Sequence, residues 1–109
     1  MDVHQPATTL SILHLEDSAN DHRLACRVLD KSRFQYTIRR VETLSAFTDA
    51  ALSGAFDLVL ADYRLAGFTA VDAWTSLPTN CLRPPFILLS GAIGEAAAVS
   101  AIQLGISDY

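Results

Sequence analysis

The segment from Asp57 to Gly67, DLVLADYRLAG, most strongly constrains how this chain can fold. Leu58 to Ala61 are consecutive apolar residues, which is typical of a strand buried on both faces, as in a parallel sheet. Asp62 ends this run, and a loop containing Gly67 follows. In open α/β sheets, ligands bind in the crevice beyond the carboxyl ends of the strands. The segment therefore predicts a central parallel strand with a carboxylate at its ligand-binding end.

Strand and helix patterns alternate along the rest of the chain. Short apolar or β-branched runs predict strands at 10–15, 35–41, 57–61 and 86–89, and residues 106–109 resemble the start of a fifth. Helices are predicted at about 19–31, from the cap Thr43 to the stop at Gly54, and at about 70–76 and 95–103. In the second helix we expect four residues to face the core: Leu44, Phe47, Ala51 and Leu52. Regular alternation favours an α/β fold, with a parallel sheet and helices on both faces.

Composition limits the class of protein. The chain has 109 residues, which suits one domain, and half of them are hydrophobic, enough for a packed core. A formal charge of −4 without a basic run argues against a nucleic-acid-binding surface. Cys26 and Cys81 form no metal-binding pattern, so we expect reduced thiols in a cytoplasmic protein. Residues 1–9 predict a flexible lead-in without a signal peptide, and no apolar run reaches the length of a membrane span.

Polar groups follow three predicted strands at the same edge of the sheet. Glu16 and Asp17 follow the first strand, Asp62 the third and Ser90 the fourth. Carboxylates in one crevice repel one another, and Mg²⁺, which prefers oxygen ligands, relieves that repulsion. A carboxylate can also attack a phosphoryl group while a metal neutralises its charge. The pattern therefore indicates a magnesium-dependent phosphoryl-transfer site in which Ser90 can hydrogen-bond a phosphoryl oxygen.

Four segments resemble the receiver domain of two-component response regulators. They are LHLEDS at 13–18, DLVLADYRLAGF at 57–68, ILLSG at 87–91 and LGISDY at 104–109. The resemblance implies that residues 10–109 are a receiver domain. It also implies a flavodoxin-like three-layer sandwich, whose parallel sheet has the strand order 2-1-3-4-5.

The resemblance implies a role for each carboxylate. Asp62 is expected to be the phosphoacceptor, which takes a phosphoryl group from a sensor histidine kinase or a phosphotransfer protein. Glu16, Asp17 and Asp62 are expected to bind Mg²⁺, and the backbone carbonyl of Arg64 completes the protein ligands. On this interpretation the chain is a phosphoacceptor signalling domain and not an enzyme, apart from its self-catalysed phosphoryl transfer and dephosphorylation.

The signalling response is assigned by the same resemblance. Ser90 is expected to be the switch hydroxyl, which moves toward the phosphoryl group. Tyr109 is expected to be the aromatic residue that changes rotamer with it. The partner that reads this change is expected to be an output domain C-terminal to this segment, and neither a membrane nor a nucleic acid is expected to contact the domain directly.

The sequence departs from the family pattern in two places. Receivers carry a Lys at the end of strand 5, and this chain ends at Tyr109 before that position, so strand 5 and the last helix are expected to be largely missing. The exposed edge of strand 4 then predicts a homodimer, which light scattering across a concentration series checks. Ala66 stands where Pro is common, which frees the backbone slightly without removing the site.

Several alternatives remain open at this stage. A receiver-like interaction module that cannot be phosphorylated is the main rival. A haloacid-dehalogenase-like phosphatase fits less well, because its Asp-x-Asp motif after strand 1 does not match Glu16-Asp17-Ser18. His14 shares the strand parity of Glu16, so a His/Glu metal site competes with a packed core histidine. Arg64 is either a gate for water at an acyl phosphate or a solvated loop residue.

Overall fold

A computed structural model describes residues 9–32, 35–78 and 84–89 of the chain. In chain order the strands are β1 (Thr9–Leu15), β2 (Gln35–Val41), β3 (Leu58–Ala61), β4 (Arg64–Leu65), β5 (Phe68–Thr69) and β6 (Phe86–Leu88). Four of them form a parallel sheet in the order β2-β1-β3-β6, and β4 and β5 form a separate antiparallel pair.

Each helix in the described part of the chain is preceded by a hydroxyl-bearing N-cap residue. The helices are α1 (Ala19–Asp30), α2 (Leu44–Leu52) and α3 (Ala70–Ser76). Ser18, Thr43 and Thr69 each accept a backbone N–H of the first turn through the side-chain oxygen. These bonds satisfy donors that lack a partner within the helix. The caps therefore set where each helix starts after its preceding strand or turn.

One face of the sheet packs against α2 and α3. Phe86 of β6 is fully buried, and its ring lies edge-on to Phe47 of α2 and Trp74 of α3, with ring centroids 6.0 and 5.4 Å away. Apolar side chains of β1 and β3 complete this cluster: Leu13, Leu15, Val59 and Ala61. Such edge-to-face aromatic pairs add to the free energy gained from burial. The cluster joins β6 to both helices.

The other face of the sheet lies toward α1, and the described residues cover it less closely. No residue of α1 is buried, and Leu24 and Val28 are 56% and 70% exposed. An apolar groove of about 360 Å³ runs between α1 and the sheet, lined by Ala25, Val28, Leu29, Leu60, Ile87 and Leu89. The apolar stripe of α1 is therefore only partly covered by the described residues.

The predicted α/β fold is confirmed. The sheet has helices on both faces, and its order matches the predicted 2-1-3-4 for the first four strands of the main sheet. The predicted fifth strand and fourth helix lie outside the described residues. β1 already begins at Thr9, which was expected in the lead-in. Leu52 was expected to face the core but is 48% exposed, because α2 turns Ala50 inward instead.

The segment after β3 is more ordered than the predicted loop. β4 and β5 form a short hairpin, with Leu65 opposite Phe68 and a connection through Ala66 and Gly67. Gly67 has φ of +89°, a backbone conformation that L side chains rarely adopt, which explains the glycine at this turn. None of the helices in the described ranges has the length and apolar character needed to cross a membrane.

We predict that Phe86→Ala lowers the free energy of unfolding by about 3–5 kcal/mol, because it removes the ring that joins α2 and α3 to the sheet. Leu52→Ala, on an exposed position of α2, is the matched control and should change it by about 0.5 kcal/mol. Urea unfolding followed by Trp74 fluorescence measures both variants. Equal effects of the two substitutions would contradict this description of the core.

Candidate functional site

The two central strands end side by side, and this brings three acidic side chains together. Leu15 of β1 lies opposite Ala61 of β3, and the N–H of Asp62 donates to the carbonyl of Leu15 at 3.1 Å. The residues directly after these strand ends are Glu16, Asp17 and Asp62. One carboxylate oxygen from each lies within 4.8 Å of the others. The predicted acidic cluster is therefore present as a geometric feature.

Each carboxylate of the cluster accepts a backbone N–H. Glu16 Oε2 accepts the N–H of Ser18 at 3.2 Å, and Asp62 Oδ1 accepts that of Tyr63 at 3.0 Å. Both donors are close in sequence to their acceptors. Asp17 differs, because its Oδ2 accepts an N–H from the β4–β5 hairpin, that of Ala66, at 2.8 Å. These bonds orient the three side chains toward one another.

The electrostatics of the cluster favour a proton or a cation. Burial, the largest cause, and the charges of Asp62, Asp21 and Asp17 together raise the pKa of Glu16 to about 7, against the lowering effect of the Ser18 N–H. Burial also raises the pKa of Asp62, with the charges of Asp17 and Asp21 adding to the effect and the Tyr63 N–H opposing it. The ionised carboxylates are therefore destabilised in this pocket unless a proton or a cation offsets their charge.

The donor set fits a hard divalent cation. Carboxylate oxygens are the ligands that Mg²⁺ and Mn²⁺ prefer, and two or three of them with water satisfy an octahedral ion. Glu16, Asp17 and Asp62 would hold such an ion, and its charge would offset the effects of burial and mutual repulsion that raise the pKa of Glu16 and Asp62. The predicted role of the Arg64 carbonyl stays a prediction.

The Arg64 side chain is exposed, and its guanidinium lies 5.8 Å from the centroid of the Tyr63 ring. This contact keeps the cation beside the ring, near the start of the hairpin, and the alternatives of water gate and solvated arginine both remain predictions. Ser90 and Tyr109 lie outside the described residues. The residue before Ser90, Leu89, donates its N–H to the carbonyl of Ala61 at 2.8 Å, so the end of β6 reaches the same edge of the sheet as Asp62.

His14 contacts another histidine. It is 1% exposed, and its Nδ1 lies 2.9 Å from Nδ1 of His22 on α1. Burial, the neighbouring His22 and the charge of Arg40 lower the pKa of His14 to about 4. Among the described residues, the group of possible metal ligands contains Glu16 but not His14. The packed-histidine interpretation therefore fits better than the His/Glu metal site.

Two features of the site were missed by sequence reasoning. The contact between His14 and His22 joins a strand to the following helix, and no local pattern reveals it. The bond from Ala66 to Asp17 was also missed, although the sequence held a signal: a residue other than Pro at position 66 keeps a backbone N–H. The hairpin that presents this N–H was predicted only as a loop.

Comparison with known proteins places this geometry in a known fold. No protein-family model and no curated protein sequence matches the chain. Among solved structures, the Mn²⁺-bound response regulator Rcp1 aligns with a TM-score of 0.76 and 22% identity, over 92% of this chain and 78% of that chain. The phosphorylated cyanobacterial phytochrome response regulator RcpA gives 0.76 and 22%, over 94% and 79%.

A third similar structure is a complex. It is the co-crystal structure of the Saccharomyces cerevisiae histidine phosphotransfer protein Ypd1 with the receiver domain of the response regulator Ssk1. It aligns with this chain with a TM-score of 0.69 and 14% identity. The alignment covers 96% of this chain and 79% of that chain.

This chain has the receiver fold. In the receiver fold of this chain, the acidic cluster lies at the carboxyl ends of β1 and β3.

We predict that Glu16→Gln stabilises the metal-free protein at alkaline pH. Because the pKa of Glu16 in the folded state, about 7, lies above the ordinary value of 4.5, the wild type loses stability as pH rises from about 4.5 through about 7. The neutral amide lacks this loss, so at about pH 8 the variant should be more stable by up to ~3 kcal/mol.

Urea unfolding in EDTA across that pH range measures the difference between the two proteins. Near the ordinary pKa of a glutamate the variant and the wild type should have similar stability, since Glu16 is then protonated. Leu52→Ala, at an exposed position of α2, is the control: it removes no titratable group, so its difference from the wild type should not change with pH. A difference for Glu16→Gln that is equally independent of pH would contradict the electrostatic description.

Proposed function

We propose that this chain is a phosphoacceptor receiver domain in a two-component phosphorelay, with Asp62 as the phosphoacceptor and Mg²⁺ as the cofactor. The observation that carries the proposal is the approach of Glu16, Asp17 and Asp62 to within 4.8 Å at the carboxyl end of the sheet. The similar Mn²⁺-bound and phosphorylated response regulators support it. The fold alone does not assign the chemistry, so the site residues carry the argument.

In this proposal Asp62 is a better nucleophile than Glu16. Asp62 is half-buried, whereas Glu16 is 5% exposed and therefore less accessible. The pKa of Glu16 is raised to about 7, so at neutral pH a part of its carboxyl group is protonated and cannot attack. In the proposed step an oxygen of Asp62 bonds to phosphorus, the phosphorus–nitrogen bond of a phosphohistidine breaks, and the imidazole nitrogen keeps the electron pair and takes up a proton. The product is an acyl phosphate on Asp62.

The neighbouring groups have supporting roles in this proposal. A bound divalent cation supplies charge neutralisation for the phosphoryl oxygens. Glu16 and Asp17 hold that cation beside Asp62, with the Arg64 carbonyl as a further ligand. Ser90 and Tyr109 keep the roles of switch hydroxyl and aromatic switch that the resemblance implies. The chain is then a signalling domain that transfers phosphate to itself.

The proposed partners follow from the same chemistry. A phosphohistidine donor means a sensor histidine kinase or a histidine phosphotransfer protein, and the solved complex of Ypd1 with the Ssk1 receiver supports that class of partner. An output domain beyond residue 109 and a homodimer through the β6 edge are further proposals. With a formal charge of −4 and no basic run, the domain suits a cytoplasmic protein partner better than a nucleic acid.

We predict that a small phosphodonor such as acetyl phosphate, with Mg²⁺, adds one phosphoryl group to the wild type and none to Asp62→Asn. Intact-mass spectrometry detects the adduct, and EDTA should abolish it because the carboxylates then repel the incoming phosphate. Asp57→Asn is the matched control, since Asp57 flanks the opposite end of β3 and accepts the N–H of Ser11 at 2.9 Å. It should be phosphorylated like the wild type.

Two results would overturn the assignment. An adduct that persists in Asp62→Asn would place the phosphoacceptor elsewhere. A wild type that binds Mg²⁺ but never gains a phosphoryl group, from either the small donor or a phosphorylated histidine protein, would favour the rival function of a receiver-like interaction module.

A further inference from the structure

A backbone N–H at the tip of the β4–β5 hairpin donates a hydrogen bond to a carboxylate of the acidic cluster. The N–H of Ala66 donates to Oδ2 of Asp17 at 2.8 Å. Ala66 and Gly67 form the connection between the two strands of the hairpin. The bond therefore joins the β4–β5 hairpin to Asp17, two residues after the end of β1.

Asp17 depends on this bond more than the other carboxylates depend on theirs. Glu16 is buried and Asp62 is half-buried, so packing restricts both side chains. Asp17 is exposed, and its rotamers are free unless a hydrogen bond selects one. The Ala66 N–H engages Oδ2 and leaves Oδ1 of the same carboxylate for another partner. The hairpin thereby orients the one ligand of the cluster that packing does not hold.

We propose that the backbone N–H of Ala66 is a positioning group for the divalent-cation site, holding Asp17 in the orientation that binds the ion. This inference rests on the proposed function, because it needs a cation at the cluster. It also couples the site to the hairpin in both directions: the hairpin conformation sets cation affinity, and a bound cation alters the hairpin amide. Groups that orient metal ligands affect affinity without touching the metal.

Ala66→Pro tests the proposal because it removes the N–H and suits the turn. Ala66 precedes a glycine of positive φ in a two-residue connection, a position at which proline is favoured in type II turns. Leu65 is in a strand, which is the conformation that a following proline requires. With Mn²⁺ alone as the probe, titrated by electron paramagnetic resonance, the variant should bind about tenfold more weakly than the wild type.

Ala66→Gly is the conservative variant, since it retains the N–H while it loosens the turn. It should bind Mn²⁺ with the affinity of the wild type. Equal binding by the wild type and Ala66→Pro overturns the inference and leaves the proposed function standing. Equal weakening by Pro and Gly also overturns it, because the turn and not the N–H would then be responsible. A wild type that binds no Mn²⁺ overturns the proposed function itself.

The wild type provides a readout that does not depend on how Ala66→Pro folds. In nuclear magnetic resonance spectra, the amide of Ala66 should shift on addition of Mg²⁺, together with that of Tyr63, which donates to Asp62. A shift of the Tyr63 amide while the Ala66 amide stays in place would show that the ion binds without using the bond to Asp17. That result would overturn the inference.

Discussion

The parallel pairing of β1 with β3 is the interaction on which the site depends. Main-chain hydrogen bonds set Leu15 opposite Ala61, so the residues that follow the two strands emerge at the same edge. The acidic side chains of Glu16 and Asp62 are brought together by this register and not by any attraction between them. Burial of the apolar strand residues on both faces of the sheet fixes the register, since a slip of one residue would turn the buried side chains outward.

The three carboxylates therefore repel one another at this edge, whereas the apolar residues around the site are closely packed. Phe86, Phe47 and Trp74 pack β6, α2 and α3 together on one face of the sheet. At neutral pH the pocket accommodates a proton on Glu16, whose pKa is about 7. A divalent cation bound at the cluster would compete with that proton for the same oxygens, so its affinity would depend on pH.

The sequence predicted the sheet and its acidic edge because both rest on local patterns. A run such as Leu58 to Ala61 identifies a buried strand by itself, and the rule that ligands gather at carboxyl ends then places Asp62. The β4–β5 hairpin escaped prediction because strands of two residues are too short to show alternation. The apolar spacing of α1 was visible, but how much of it is covered depends on what packs there, which periodicity does not report.

The groups that orient the three carboxylates are less visible in the sequence than the carboxylates themselves. The carboxylates are motif residues, and their identity is necessary for the proposed chemistry. The groups that aim them are backbone N–H donors of Ser18, Tyr63 and Ala66. Any residue except proline supplies such a donor, so side-chain patterns carry almost no record of it. Position 66 is informative for this reason: a change between alanine and proline there alters no charge and little volume, yet it decides whether the hairpin can hold Asp17.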